Sequence, residues 1–196
     1  AEQEAFERQH QEALEQQEKE RTAKELARKE LARRALASKH LLPFVKYHMP
    51  TYQAGWVHKD ICRRLERFSE QVARGESPRL MLAMPPRHGK SQLASQSFPG
   101  WHLGRYPTHD IITASYSAAL ATDFSKKVRA LVKSPSYQAI FPGAQIDPDN
   151  QNAEGWSMGK GGMYVPAGVG GPMTGRGAHI LIIDDPVKNR EEAESD

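Results

Sequence analysis

The sequence predicts an α/β fold with a largely parallel central sheet, preceded by a long N-terminal helix. Between residues 79 and 184, short apolar runs that suit buried strands alternate with longer stretches of helical periodicity. Residues 1–40 are rich in Glu, Gln, Lys, Arg and Ala and contain neither Gly nor Pro, which is typical of a helix. With 196 residues, the chain is long enough for one domain with a core and an appended segment.

The charge order of residues 1–40 favours one long, exposed helix. Glutamates dominate its first half and bases its second half, an order that complements the helix dipole. Opposite charges also recur at i,i+4 spacing in the favourable direction: Glu15/Lys19, Glu20/Lys24, Glu25/Lys29 and Glu30/Arg34. The apolar residues are too sparse for a sustained heptad repeat. This segment is therefore either a solvated lead-in or a docking arm for a partner.

Residues 41–196 are predicted to form the folded domain. A helix is expected from about Gly55 to Ala73, because the apolar residues Trp56, Ile61, Leu65 and Phe68 recur at helical intervals. The later elements are predicted in this order: a buried strand at 79–84, a helix from Gly89 through Gln96, a strand at 110–117, a helix at 118–132, a strand or hairpin arm at 161–168, and a buried strand at 178–184.

Composition narrows the class of protein. The net charge of +3 and pI near 9.0 are compatible with nucleic-acid contact. Cys62 is the only cysteine, which excludes a disulfide framework and suits a reducing cytosol. The longest aliphatic run is far too short to span a bilayer, so no membrane partner is expected. The chain begins at Ala1 without Met and stops at Asp196, and we therefore expect it to be a piece of a longer protein.

The segment "LAMPPRHGKSQLAS" at residues 82–95 predicts a phosphate-binding P-loop. Such a loop needs a strand, a tight turn, a lysine, a hydroxyl and then a helix. Gly89, Lys90 and Ser91 supply the last part of the pattern G-x-x-x-x-G-K-[ST], whereas Met84 stands where its first glycine belongs. That glycine eases the turn and provides no charge or ligand, and Pro85 and Pro86 can fix the turn instead.

A second motif lies downstream, in "ILIIDDP" at residues 180–186. Four aliphatic residues followed by two acids have the form of a Walker B strand. An Asp at the carboxyl end of a buried strand lies at the sheet edge where α/β proteins bind ligands. We expect Asp184 to hold Mg²⁺ through water and Ser91, and Asp185 to orient or deprotonate the attacking water. In the alternative interpretation, the two acids only end a strand and cap the next turn.

With these motifs in place, the chain resembles the large terminase subunits of tailed bacteriophages, the ATPases that drive DNA packaging. The resemblance covers about residues 41–196 and is carried by "MPPRHGKS", "PGWHLGRYPTHDIITASYS", "SPSYQAIFPGA" and "GVGGPMTGRGAHILIIDDPVKN". It implies a P-loop NTPase of the ASCE/RecA-like type that uses ATP and Mg²⁺. It also implies work on double-stranded DNA in a homo-oligomeric ring, with the portal protein and the small terminase subunit as partners, in the host cytoplasm and transiently on the procapsid.

The resemblance further assigns site residues. The turn that includes Pro86, Arg87 and His88 would contact phosphate, with Arg87 as a sensor or charge stabiliser on the γ-phosphate. Arg87 can also be a surface residue, and His88 suits a turn better than catalysis. Arg176 is the candidate arginine finger, with a phosphate-binding or solvated loop arginine as the alternative.

Adenine contacts would come from the segment around Tyr52, Gln53 and His58. Gln53 is the candidate hydrogen-bonding residue, whereas Tyr52 and His58 are equally suited to packing. The family's C-terminal nuclease domain is expected to lie outside this chain, so no nuclease residue is assigned.

Two other functions stay open at this level. The chain can be an assembly or docking module whose nucleotide site is structural or regulatory. It can also be a helicase-type ATPase, which shares the motor chemistry but is disfavoured by the pairing of PPRHGKS with GRGAH and DDP.

Overall fold

The computed structural model describes residues 2–168 and 177–187, and it shows an α/β fold around a mixed five-stranded sheet. The strands lie in the spatial order β2-β3-β4-β1-β5. They are β1 (Ile111–Ser115), β2 (Ile146–Asn152), β3 (Gly155–Met158), β4 (Met163–Gly168) and β5 (Ile180–Ile183). The α/β prediction is confirmed, and β1, β4 and β5 match predicted strands.

The prediction of a largely parallel sheet is wrong. β1 runs parallel to β4 and β5, but β2 pairs antiparallel with β3, and β3 with β4. Only a few residues join β2 to β3 and β3 to β4. Such short connections can join antiparallel strands but not parallel ones, which need a long crossover.

The helices account for most of the remaining chain, and all but one are α-helical. They are α1 (Glu2–Lys39), α2 (Leu41–His48), α3 (Trp56–Ala73), α4 (Phe98–Arg105), α5 (Ala118–Lys133) and α6 (Pro135–Ile140), with a π-helix at Gln92–Ser97. The helix predicted after Gly89 is therefore present, but its main part is π-helical. None of the described helices is both long and apolar enough to cross a membrane.

The strand predicted at residues 79–84 is not formed, since no strand pairing in the described part of the chain includes it. Leu80, Leu82 and Met84 pack half-buried against the core, while Met81 is 93% exposed. This alternation is that of an extended segment with one face on the core. The apolar run predicted burial on both sides, but strand formation also requires a partner backbone, which sequence periodicity does not report.

One further burial prediction is wrong. β5 was predicted as a buried strand, but Leu181 and Ile183 are each more than half exposed, and the strand lies at the edge of the described sheet. Among the apolar residues that predicted α3, Trp56 is 80% exposed because it is the first residue of the helix, whose buried face begins at Ile61.

Helix α1 is anchored at its C-terminal end and exposed along most of its described length. Ala37 is fully buried, and its carbonyl accepts a 3.1 Å hydrogen bond from the indole nitrogen of buried Trp101. Further towards the N-terminus, Glu30 accepts hydrogen bonds from Arg34 and Tyr47. The predicted helix is confirmed, whereas a docking role for it stays a prediction.

A cluster of three histidines fixes the position of β5 against α4. The buried His102 of α4 contacts Ser69 Oγ at 2.8 Å through Nδ1 and His109 Nδ1 at 3.0 Å through Nε2. The His109 ring stacks on that of His179, with centroids 4.2 Å apart, and His179 Nδ1 accepts the backbone N–H of Asp110. Since His179 directly precedes β5, the cluster holds the beginning of that strand.

Burial is the main cause that lowers the pKa of His102 to about 3, and the charges of the neighbouring His109, Arg105 and His179 contribute to the same shift. Below about pH 6.5, His102 therefore binds a proton in the unfolded chain but stays neutral in the folded chain. The free energy of unfolding falls as the pH drops from there towards 3. We predict that the loss between about pH 7 and pH 4.5 is roughly 2–3 kcal/mol larger in the wild type than in His102→Gln. Urea unfolding at both pH values measures this difference. Equal losses of free energy in the wild type and in His102→Gln would contradict the lowered pKa of His102.

Candidate nucleotide site

The turn at residues 85–89 has an unusual backbone conformation. Arg87 and Gly89 both adopt the left-handed region, with φ values of 64° and 84°. The conformation suits Gly89, but it is strained for Arg87. His88 Nδ1 lies 2.8 Å from the carbonyl oxygen of Pro86, which supports its interpretation as a turn residue. Backbone amides in such a turn can form a concave anion site.

A helix starts directly after this turn. The N–H of Leu93 donates to the carbonyl of Gly89 at 3.0 Å, and Lys90 and Ser91 already lie in the first helical turn. The turn thus feeds into a helix N-terminus, whose free N–H groups favour negatively charged ligands.

Lys90 reaches the two acids at the end of β5. Its Nζ lies 2.9 Å from Asp185 Oδ1 and 3.5 Å from Asp184 Oδ1. The hydrogen bond that Lys90 donates to Asp185 is the main cause of the raised pKa of Lys90, and the charge of Asp184 adds to it. The lysine is therefore a cation, and residues 95 positions apart in sequence meet in one site.

The two acids lie at the carboxyl end of the parallel strands. The N–H of Asp184 donates to Ala114 O at 2.9 Å, and the N–H of Tyr116 donates to Asp185 O at 3.1 Å. The ladder between β1 and β5 thus continues through both acids. Asp185 has a φ of 46° and is 60% exposed, so its carboxylate points to an accessible edge where α/β proteins bind ligands.

Asp184 differs from its neighbour because it is buried, with 4% exposure. Ser95 Oγ donates to its Oδ2 at 2.7 Å, so a hydroxyl of the π-helix satisfies one oxygen while Lys90 faces the other. The sequence analysis did not single out Ser95. Its only signal is the position four residues after Ser91, about one turn farther along the same helix.

The remaining predicted residues are less closely tied to this group. Ser91 is half-buried, and its side chain has no recorded hydrogen bond within the described residues. Gln53 is exposed and likewise has no such bond among them. Arg176 lies outside the described residues. The structure thus brings Lys90, Asp184 and Asp185 together, while the roles of Ser91, Gln53 and Arg176 stay predictions.

The segment upstream of α3 contacts the turn from the other side. The rings of Tyr52 and His58 meet edge to face with centroids 5.9 Å apart. A Cβ on Gly89 would lie 3.5 Å from both Tyr52 Oη and His58 Nε2, so these two side chains form the wall against which Gly89 packs. His58 Nε2 is 2.9 Å from the carbonyl oxygen of His88.

We predict that Ser95→Ala lowers the free energy of unfolding by about 1–3 kcal/mol, because it removes the hydrogen-bond donor of a buried carboxylate. Ser97→Ala is the matched control, since Ser97 lies in the same π-helix and its buried hydroxyl has no hydrogen-bond partner among the described residues. Its removal should change the free energy of unfolding by less than about 1 kcal/mol or raise it. Urea denaturation measures both variants, and equal effects would show that the bond to Asp184 contributes nothing.

Comparison with known proteins adds one match. The model of the family described as terminase large subunit, T4likevirus-type, N-terminal, matches residues 81–196, which is more than half of the chain. No curated protein and no solved structure matches the chain. The matched range contains the turn at residues 85–89, Lys90, Ser95 and the two acids that follow β5. The chain therefore belongs to the N-terminal family of terminase large subunits of the T4-like type, which supports a role in phage DNA packaging.

Proposed function

We propose that the chain binds and hydrolyses ATP as a P-loop NTPase, and that this reaction drives the packaging of double-stranded DNA. One observation carries the proposal: the lysine after the glycine turn lies 2.9 and 3.5 Å from two carboxylates at the carboxyl end of β5. A lysine, a helix N-terminus and strand-end acids are the groups that P-loop NTPases use for a nucleotide and its metal.

The residues present fit a magnesium–nucleotide complex. Mg²⁺ prefers oxygen ligands and is usually held by one or two carboxylates together with phosphates and water. Asp184 and the hydroxyl of Ser91 would supply the protein oxygens. Within residues 2–168 and 177–187, no cluster of three His, Cys, Asp or Glu side chains could hold a metal alone, so the phosphates would complete the coordination. The ion would neutralise charge on the phosphate oxygens.

Each of the proposed catalytic side chains would have its own role in ATP hydrolysis. Lys90 would face the phosphate oxygens, since its charge is already directed at the carboxyl edge. The exposed Asp185 would orient the attacking water or accept its proton as the water's oxygen bonds to the γ-phosphorus and ADP leaves. Arg87, held by a strained turn beside Gly89, would stabilise phosphoryl charge. Arg176 would act as the arginine finger of a neighbouring subunit.

Family membership supplies the wider context of the proposal. A homo-oligomeric ring of such subunits would couple ATP turnover to movement of double-stranded DNA at the portal protein, with the small terminase subunit as a further partner, in the host cytoplasm. The alternative function is a docking module, favoured by α1, where Leu14, Leu26, Leu31 and Leu36 are each more than half exposed. That alternative requires tight ATP binding without turnover, both in the isolated chain and in assembled rings.

We predict that Lys90→Ala lowers ATP turnover by at least about a hundredfold, because it removes the positive charge nearest the phosphates. Lys126→Ala is the control, since Lys126 is an exposed lysine of α5 that forms an ion pair with Asp123. Phosphate release from the full-length protein with Mg²⁺ and ATP measures both variants. Unchanged turnover in Lys90→Ala would disprove the proposed site, and circular dichroism checks that the variant is folded.

A further inference from the structure

His58 connects the beginning of α3 to the turn at residues 85–89. Its Nδ1 accepts the backbone N–H of Gly55 at 3.0 Å, and Gly55 is the N-cap residue of α3. Its Nε2 lies 2.9 Å from the carbonyl oxygen of His88. A single imidazole therefore joins the beginning of α3 to a turn residue that lies 30 positions after His58 in the sequence.

The two contacts require one tautomer of the ring. An amide N–H can only donate, so Nδ1 must carry a lone pair. A carbonyl oxygen can only accept, so Nε2 must carry the hydrogen. Neutral imidazole has one nitrogen of each kind. The pair of backbone contacts thus fixes both the protonation pattern and the orientation of the His58 ring.

His58 contacts the part of the turn that has a left-handed backbone conformation. The carbonyl that His58 binds belongs to the peptide between His88 and Gly89, and Gly89 has a φ of 84°. On the other side of the ring lies Tyr52, whose hydroxyl is buried without a hydrogen-bond partner in the described part of the chain. The edge of the His58 ring and the Tyr52 hydroxyl thus flank Gly89, each 3.5 Å from a Cβ built on this residue, which is ordinary contact distance.

We infer that His58 is a positioning residue, which holds the turn before Lys90 and couples it to residues 52–55. This inference rests on the proposed nucleotide site, since the turn is its phosphate side and Gln53 lies on the coupled segment. Movement of the upstream segment then alters the direction of the His88–Gly89 peptide. His58 acts through the backbone and does not contact phosphate itself.

Ligand binding by the wild type and by two variants at position 58 tests whether His58 positions the turn. Glutamine carries an acceptor and an N–H donor on one carbon, as imidazole does, whereas leucine has neither. His58→Leu should weaken binding of both Mg–ATP and inorganic tripolyphosphate by about tenfold, and His58→Gln should stay within about threefold of the wild type. Calorimetric titration of the full chain measures both ligands. Wild-type affinity in His58→Leu, or equal weakening in both variants, would overturn the inference.

A second pair of variants tests the same connection if His58→Leu does not fold. Gly55 has a φ of −72°, which a proline adopts without strain, so Gly55→Pro removes the N–H that holds Nδ1. Gly55→Ala keeps the N–H, and its Cβ would make only an ordinary 3.6 Å contact with Nδ1. Weaker tripolyphosphate binding in Gly55→Pro than in Gly55→Ala supports the inference, and equal binding contradicts it.

A readout without nucleotide separates this inference from the proposed function. Nitrogen NMR of the wild-type protein should show an unprotonated Nδ1 and a protonated Nε2 on His58. Absence of ATP binding by the wild type would disprove the proposed function yet leave this tautomer in place. The opposite tautomer would overturn the positioning role even if ATP binds tightly.

Discussion

The site depends on the buried carboxylate of Asp184. A carboxylate with 4% exposure is tolerated only where hydrogen bonds and a counter-charge compensate for its lost hydration. Ser95 and Lys90 provide these, and both lie on the helix that follows the turn at residues 85–89. The carboxylate therefore ties that helix to the end of β5. Since the same helix begins at that turn, the carboxylate of Asp184 holds the turn and the two acids in a fixed position relative to each other.

The turn itself is held from two directions. Lys90 ties its C-terminal end to the sheet, and His58 ties the His88 carbonyl to α3. Between these contacts, Arg87 adopts a left-handed conformation that costs free energy for a residue with a Cβ. Strain of this kind persists only where the surroundings impose it, and it collects at functional sites. If the turn binds a ligand as proposed, a turn fixed in this way would not first have to be ordered.

The sequence was sufficient for the main elements and the centre of the site, but not for the contacts between distant segments. Lys90, Asp184 and Asp185 were predicted to meet because a strand's carboxyl end and a helix N-terminus share one edge of an α/β sheet. The antiparallel part was missed, although turn residues in "AEG" and "GKGG" separate its short strands. The contact of Ser95 with Asp184 and that of His58 with the His88 carbonyl could not be predicted, since no motif in the sequence pairs either residue with its partner. Residues 79–84 show that apolar periodicity predicts burial but not strand pairing.

We propose that the buried Asp184 helps to hold a divalent metal together with nucleotide phosphates. Electron paramagnetic resonance with Mn²⁺ in place of Mg²⁺ tests it directly, because phosphorus coupling to bound Mn²⁺ reports a metal–phosphate contact. We predict that the wild type and Asp123→Asn both bind Mn²⁺–ATP and show this coupling. Asp123 is an exposed aspartate of α5 and serves as the control position. In Asp184→Asn, which retains an oxygen for Ser95, affinity should fall by at least about tenfold. Equal Mn²⁺–ATP binding in all three proteins would contradict the account.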